Sequence, residues 1–191
     1  MITAAPTPIA GRIMSWKTLS SQTKYDNPWM TVYEDDVINP GGGRNAYGWV
    51  HFKNRAIAIV PIDDDGNTWL IGQQRFTLGD YSWELPMGGG PLDEAALDAA
   101  VRELKEETGL SAERWTELMK VHTSNSITDE EGFVFVAEGL SQGETDFEEM
   151  EDLAIRKLPL SEAVQMVTDG EITDVITIAA LLRVHSLRAA S

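Results

Sequence analysis

The sequence contains no cysteine and only three histidines, and its 15 Lys and Arg residues are outnumbered by 31 Asp and Glu, giving a net charge of −16. Without cysteine there is no disulfide framework and no cysteine-ligated zinc site. The shortage of basic residues argues against duplex DNA or long RNA as partners, because binding such polyanions draws on clustered Lys and Arg. A small phosphorylated substrate stays possible, since a bound metal can supply local positive charge.

Long apolar runs are also absent. No stretch approaches the roughly 18 apolar residues of a membrane-spanning helix, and residues 1–10 lack the basic start and apolar centre of a signal peptide. We therefore expect a cytoplasmic protein without a membrane partner. The 191 residues show no internal repeat, and 42% of them are hydrophobic, which suits a single domain over residues 1–191 with a substantial core.

The most informative stretch is residues 88–110, GGGPLDEAALDAAVRELKEETGL. Pro91 suits a first helical turn and Gly109 suits the position just after a last turn, so the pattern predicts a helix over residues 92–108. One face of this helix is expected to pack on a sheet, and it comprises Leu97, Ala100, Val101, Leu104 and Thr108.

A second face of the predicted helix carries Glu103, Glu106 and Glu107. Residues three and four apart are neighbours on a helix, so these acids repel one another, and a bound cation would remove that repulsion. Because all the ligands are oxygens, the cluster favours Mg²⁺ or Mn²⁺ over zinc. The same arc carries small side chains that would let a bulky anionic group approach, namely Ala95, Ala96 and Ala99.

An acidic helix face is often simply solvated, but here the fixed spacing to a preceding glycine loop favours a metal site. The segment resembles the signature of Nudix hydrolases, Gx5Ex7REUxEExGU, in which U is aliphatic. The matching residues are Gly88, Glu94, Arg102, Glu103, Leu104, Glu106, Glu107, Gly109 and Leu110. The resemblance implies an α/β fold, the Nudix α/β/α sandwich with a mixed β-sheet, and divalent-metal-dependent hydrolysis of a nucleoside diphosphate linked to another moiety. It makes Glu103 and Glu107 metal ligands, while Glu106 ligates metal or supports a neighbouring ligand. Arg102 and Glu94 are expected to brace the loop and the helix.

Upstream of this box, QQRF and WELPMG resemble elements of the ADP-ribose and nucleoside-diphosphate-sugar pyrophosphatase branch. By that resemblance Arg75 approaches the diphosphate or the terminal ribose, and Glu84 approaches the substrate or the metal cluster. The main-chain carbonyl of Met87 stands where the branch uses a metal ligand. Alternatively, Arg75 is simply a charged residue on the solvent-exposed side of a strand and has no role in substrate binding.

The N-terminal part, residues 1–45, predicts strands on either side of the turn at Asn27-Pro28, and in the same branch such strands help to form a homodimer. Trp29 is the candidate for stacking on the nucleobase, although a lone Trp also serves in ordinary packing. The sequence departs from the branch at Ser126, where ADP-ribose pyrophosphatases usually carry proline. This departure weakens ADP-ribose as the specific substrate and leaves the nucleotide-sugar class intact.

A late acidic stretch, residues 143–152, matches the position of a loop that supplies a general base and a metal ligand in that branch. Glu149 is then the base and Glu151 the ligand, with a solvated charge run as the alternative. The sequence therefore predicts a pyrophosphohydrolase that uses Mg²⁺, or Mn²⁺ in its place, on a nucleoside diphosphate sugar. The alternatives are a nucleoside triphosphate or dinucleotide pyrophosphatase and a non-catalytic nucleotide sensor.

Overall fold

The computed structural model describes residues 15–143 and 154–190, and these residues form ten strands and three helices. The strands are β1 (Lys17–Asp26), β2 (Met30–Ile38), β3 (Arg44–Phe52), β4 (Asn54–Pro61), β5 (Asn67–Arg75), β6 (Asp80–Glu84), β7 (Met87–Pro91), β8 (Leu110–Val121), β9 (Gly132–Gln142) and β10 (Ala154–Pro159). The helices are α1 (Ala96–Thr108), α2 (Leu160–Asp169) and α3 (Val175–Ala189). No helix within the described ranges is long and apolar enough to span a membrane.

Strand β4 divides the hydrophobic core into two halves. Its side chains alternate between the two faces of the sheet, as in any strand. Ile57 and Ile59 pack with Leu104 of α1 on one face, whereas Ala58 and Val60 pack with residues of α2 and α3 on the other. Helices therefore cover both faces of the sheet, which confirms the expected α/β/α layers.

The sheet between these layers has the order β7-β4-β9-β8. Strands β4 and β9 are parallel, whereas the other neighbouring pairs are antiparallel, so the sheet is mixed as the sequence predicted. A second sheet has the order β10-β5-β6, and its strand β5 follows the turn at Asp63. Asp63 Oδ1 accepts hydrogen bonds from the backbone N–H groups of Asp65 (3.0 Å) and Asn67 (2.8 Å). Its other oxygen pairs with Lys157 at 2.7 Å.

The N-terminal strands β1, β2 and β3 form a separate antiparallel sheet, which confirms the predicted strand extension. The loop between β8 and β9 docks on β3. The Val50 N–H donates to the Ile127 carbonyl at 2.8 Å, and the Phe52 N–H donates to Asp129 Oδ1 at 3.1 Å. This attachment brings the N-terminal sheet beside the segment that precedes β9.

Helix α1 begins later than predicted. Pro91 is the last residue of β7 rather than part of a first helical turn, and the helix starts at Ala96. Arg55 stabilises the intervening turn, because its guanidinium donates to the carbonyls of Leu92 and Glu94, each at 3.0 Å. The predicted end is confirmed, since Gly109 adopts φ of 71° in the left-handed region that glycine tolerates.

The predicted buried face of α1 was partly wrong. Leu97 and Val101 are 41% and 46% exposed, whereas Glu103 and Glu107 are buried. Ala99, expected beside the acids and open to substrate, is buried in the core near Gly90. The helix is rotated because the glycines of β7 leave room for carboxylates, so the acids turn toward the protein and two apolar residues turn outward.

Candidate active site

The glycines of β7 allow α1 to approach the strand closely. A Cβ atom at Gly88 would lie 2.0 Å from Glu103 Oε2, a distance that no real Cβ contact shows. A Cβ at Gly90 would lie 2.8 Å from Ile57 and 3.2 Å from Ala99. Gly88 therefore leaves space for the Glu103 carboxylate, and Gly90 leaves space for the core side chains of Ile57 and Ala99.

Glu107 is also turned toward β7. Its Oε2 atom accepts a hydrogen bond from the Met87 N–H at 2.8 Å, and only 4% of the residue is exposed. Glu103, one turn earlier on α1, is 8% exposed. Two buried acids thus lie against the backbone of residues 87–88, where any residue with a side chain at position 88 would displace Glu103.

Arg102 connects the acids to the glycine strand. Its guanidinium donates to Glu103 at 2.7 Å and Glu106 at 3.0 Å, and it reaches the Gly89 carbonyl at 3.0 Å. Glu94 lies 3.4 Å from the same guanidinium. Partial burial lowers the pKa of Arg102, but its hydrogen bonds to Glu103, Glu94 and Glu106 outweigh burial and raise the pKa above its ordinary value. These contacts agree with the bracing role expected for Arg102 and Glu94.

The chemistry of these groups fits a hard divalent cation. The candidate donors are carboxylate and main-chain oxygens, the ligands that Mg²⁺ and Mn²⁺ prefer. Glu103 and Glu107 are held next to Met87, and Gly88 leaves Glu103 the space it needs. Among residues 15–143 and 154–190, no three His, Asp or Glu side chains form a complete metal-binding group by themselves. The expected further ligand Glu151 and the expected base Glu149 lie outside the described residues.

Arg75 and Glu84 form an ion pair across β5 and β6. Arg75 donates through Nε to Glu84 Oε1 at 2.9 Å and through Nη2 to Oε2. Burial raises the pKa of Glu84, but the hydrogen bonds from Arg75 and Ser82 outweigh burial and hold the pKa below its ordinary value. The pKa of Arg75 is raised, chiefly by its hydrogen bond to Glu84 and also by the charges of Asp174 and Glu107. Arg75 therefore lies in an acidic environment that reaches the α1 carboxylates.

A cleft runs past this ion pair. One cavity of about 830 Å³ is lined by Arg75, Glu84 and Met87, together with Thr77, Leu78 and Asp174. A second cavity of about 300 Å³ is lined by Trp29, Gly88 and Gly89. Phe52, Arg75, Met87 and Glu130 line both cavities, so the two are parts of one cleft. Trp29 is 67% exposed at one end of it.

The cleft brings together Arg75, Glu84, Met87 and Trp29, four of the residues singled out in the sequence. Phe52 and Asp174 were not singled out. Asp174 had a local signal, because an acidic residue before an apolar helix is a common N-cap, and its Oδ2 accepts from the Thr177 N–H at 2.7 Å. Phe52 had none, since only the packing of the N-terminal sheet brings it to the cleft.

Comparison with known proteins identifies the family. A model of the NUDIX domain matches residues 52–180. The chain belongs to the Nudix family. Hydrolases of this family generally need a divalent metal ion. A second model, the nucleoside diphosphate sugar hydrolase N-terminal domain, matches residues 16–50 of this Nudix hydrolase, which include β1, β2 and most of β3.

Similar proteins align over nearly the whole Nudix chain. An ADP-ribose pyrophosphatase from Mycobacterium tuberculosis is 38% identical over 179 residues, covering 90% of this chain and 84% of that protein. The ADP compounds hydrolase NudE from Escherichia coli is 31% identical over 170 residues, covering 87% and 90% respectively. Among solved structures, an ADP compounds hydrolase superposes with a TM-score of 0.82 at 26% identity, covering 92% of this chain and 95% of the other.

Proposed function

We propose that this Nudix hydrolase cleaves the diphosphate bond of a nucleoside diphosphate sugar, with ADP-ribose as the first candidate, and releases a nucleoside monophosphate and a sugar phosphate. One observation carries the proposal. The cleft places the exposed ring of Trp29, the Arg75 guanidinium and the glycine strand beside the buried acids along one continuous surface. A substrate with a base, a diphosphate and a sugar needs such an elongated site.

The relatives support this substrate class. The proteins from Mycobacterium tuberculosis and Escherichia coli are named for ADP-ribose and ADP compounds, and the N-terminal family model is named for nucleoside diphosphate sugars. Ser126, the departure seen in the sequence, lies in the loop that docks on β3, where its carbonyl accepts a hydrogen bond from the Tyr47 hydroxyl. This backbone contact does not require proline or serine, so it leaves ADP-ribose in the candidate set.

Each end of the cleft has a proposed task. Trp29 stacks on the nucleobase, because an exposed aromatic ring offers a flat apolar surface. Arg75 binds the diphosphate, and Glu84 fixes the direction of the guanidinium through the ion pair. Glu84 is almost fully buried, whereas 38% of the Arg75 side chain is exposed and can meet a substrate. The ion pair holds Arg75 in place before substrate arrives, which lowers the entropic cost of binding.

We propose Mg²⁺ as the cofactor, with Mn²⁺ able to substitute. Glu103, Glu107, the Met87 carbonyl and Glu151 would hold the metal, and when bound it would neutralise diphosphate charge and make a water more acidic. Glu106 supports this group through Arg102, which contacts both Glu106 and Glu103. Glu149 takes the proton from the attacking water. A homodimer and a cytoplasmic location stay predictions from the sequence.

A substrate panel tests the proposal. The purified protein is incubated with Mg²⁺ and ADP-ribose, GDP-mannose, UDP-glucose, NADH, diadenosine polyphosphates or dNTPs, and the products are identified by mass. We expect the highest kcat/KM for a nucleoside diphosphate sugar. A preference for dNTPs or dinucleotides would replace the proposal with one of those activities, and no turnover of any compound would favour a nucleotide sensor.

A pair of variants on α1 tests the metal site. Glu107→Gln is expected to lower kcat at least about a hundredfold, because a lost carboxylate ligand weakens charge stabilisation in the transition state. Asp98→Asn removes the same charge from the exposed side of the same helix and should keep kcat within about threefold. Chelation with EDTA should abolish activity. Full activity in EDTA or in Glu107→Gln would refute the metal assignment.

A further inference from the structure

A cavity of about 310 Å³ lies on the N-terminal sheet, away from the substrate cleft. Three aromatic residues, Trp16, Tyr47 and Trp49, line it together with Asp35 and Asn125. It shares no lining residue with the two cavities that form the cleft. Its volume is at the lower end of the range for small-molecule sites.

Asp35 has an unusual environment in this cavity. Its Oδ2 atom accepts a hydrogen bond from the Trp49 indole N–H at 3.0 Å. Its Oδ1 atom is buried, and no hydrogen-bond partner for it exists among the described residues. A buried carboxylate oxygen without a donor is energetically costly, so a water molecule or a ligand N–H is expected to donate to Asp35 Oδ1.

Neighbouring basic side chains do not supply that partner. On either side of Asp35 in β2, Glu34 pairs with Lys24 and Asp36 pairs with Arg44. Successive residues of a strand point to opposite faces, so both of these pairs lie across the sheet from Asp35. Asp35 is therefore the one charged group among the described residues that line the cavity.

The aromatic side chains that line the cavity can also attract a cation. Trp16 and Tyr47 meet edge to face with their ring centroids 5.1 Å apart. The Trp49 ring is held by stacking on Tyr33 at 4.9 Å. Aromatic rings attract cations through their negative faces, and the attraction strengthens where water is excluded.

We propose that this cavity binds a small organic cation that carries N–H donors, either a primary ammonium or a guanidinium. The cation lies among Trp16, Tyr47 and Trp49 and donates an N–H to Asp35 Oδ1. A metal ion does not suit the cavity, because its single carboxylate and its aromatic walls offer too few oxygen ligands.

Binding can be followed through the indole N–H signals in a ¹H–¹⁵N NMR spectrum of the full chain. The probes are butylammonium chloride and butylguanidinium chloride, with butan-1-ol as the neutral analogue. Replacing Trp49 with Phe assigns the Trp49 signal. We expect saturable shifts of this signal with either cation and no saturable shift with butan-1-ol. Equal responses to the alcohol would overturn the proposal.

Two neighbouring substitutions provide a matched control. Asp35→Asn keeps an oxygen that can accept from the Trp49 indole but removes the charge, so the cations should bind at least about tenfold more weakly. Asp36→Asn removes the same charge from the other face of β2 and should change affinity by less than about twofold. Unchanged binding by Asp35→Asn would overturn the proposal.

A second variant and a second probe provide independent checks of the proposal. If Asp35→Asn fails to fold, Trp16→Ala still removes one aromatic wall and should weaken binding at least about threefold, and unchanged affinity would contradict the cavity assignment. Tetramethylammonium carries the charge without an N–H donor, so it should bind more weakly than butylammonium. Equal affinity for the two would refute donation to Asp35 Oδ1.

Discussion

The three consecutive glycines of β7 offer a direct test of how the site is built, because a methyl group at each meets a different neighbour. At Gly88 the added Cβ would lie 2.0 to 2.4 Å from the carboxylate atoms of Glu103. The obstructing atoms are the far end of a flexible side chain, so Glu103 can rotate away while the backbone stays in place. We therefore expect Gly88→Ala to fold but to displace a proposed metal ligand.

The expected loss is large because a carboxylate that is displaced by even 1 Å no longer contributes fully to charge stabilisation. Losing one such ligand should lower kcat by about 10² and should weaken Mn²⁺ binding about tenfold. Gly88→Ala should lower the free energy of unfolding by only about 1 kcal/mol, since the substitution removes no core side chain. The two effects distinguish a displaced ligand from a damaged fold.

The neighbouring glycines serve as controls. A Cβ at Gly89 would come nearest to the Asn54 side chain, with Nδ2 at 3.3 Å, so Gly89→Ala should leave Mn²⁺ affinity within about threefold of the wild type. A Cβ at Gly90 would press on Ile57 at 2.8 Å and Ala99 at 3.2 Å. Gly90→Ala should therefore destabilise the protein by about 1–3 kcal/mol through overpacking, and its closest clash is with Ile57 rather than with either acid.

The assay combines steady-state kinetics, calorimetric Mn²⁺ titration and urea unfolding for all three variants. Loss of metal affinity in Gly88→Ala alone, and loss of stability in Gly90→Ala alone, would support the geometry. If Gly88→Ala keeps the wild-type kcat and Mn²⁺ affinity, Glu103 does not occupy this position in the working enzyme, and the proposed metal site is wrong.

Three further predictions concern other parts of the chain. Trp29→Ala should raise KM for a nucleotide sugar about 5- to 100-fold with a smaller change in kcat, because stacking is shared by the ground state and the transition state; an unchanged KM would contradict it. Glu149→Gln should lower kcat about 10² to 10⁴ with KM nearly unchanged, and wild-type kcat would exclude Glu149 as the base. Asp63 is held ionised in the folded protein: burial raises its pKa, but Lys157 and Asn67 outweigh burial and lower the pKa from 3.8 to about 2. Its contribution to stability is therefore present above about pH 4 and lost as the pH falls toward 2. Asp63→Asn should remove about 1–2 kcal/mol of that pH dependence in urea unfolding, and identical profiles for both proteins would refute the assignment.

The elements that could be predicted from the sequence are those whose conformation depends on residues close to them in the chain. The turn at Asn27 separates β1 and β2 as expected, with Asn27 Oδ1 accepting from the N–H groups of Trp29 (2.9 Å) and Met30 (2.8 Å). Gly109 ends α1 because the backbone there needs a left-handed residue. The nine residues of the signature over 88–110 are likewise set by local spacing, and the family that they indicated is confirmed.

Strand β7 could not be predicted, since three glycines in five residues disfavour a strand. It forms because β4 supplies an antiparallel partner, with Ile57 opposite Gly88 and Arg55 opposite Gly90. The close packing of α1 on β7 requires these glycines, whereas the pairing of β7 with β4 does not. The same contact explains why the buried face of α1 was predicted wrongly, because amphipathic patterning assigns acids to solvent.

The electrostatics of the cleft indicate what must hold the substrate. Arg55 donates to the carbonyls of Leu92 and Glu94, and Arg75 is paired with Glu84, so both basic residues of the described cleft lining are already engaged. Glu130 and Asp174 add negative charge to the same lining, in a chain whose net charge is −16. A diphosphate entering this cleft meets more carboxylates than free cations. Arg75, already shared with Glu84, does not balance this negative charge alone, so we expect diphosphate affinity to depend also on a divalent metal ion held by the acids.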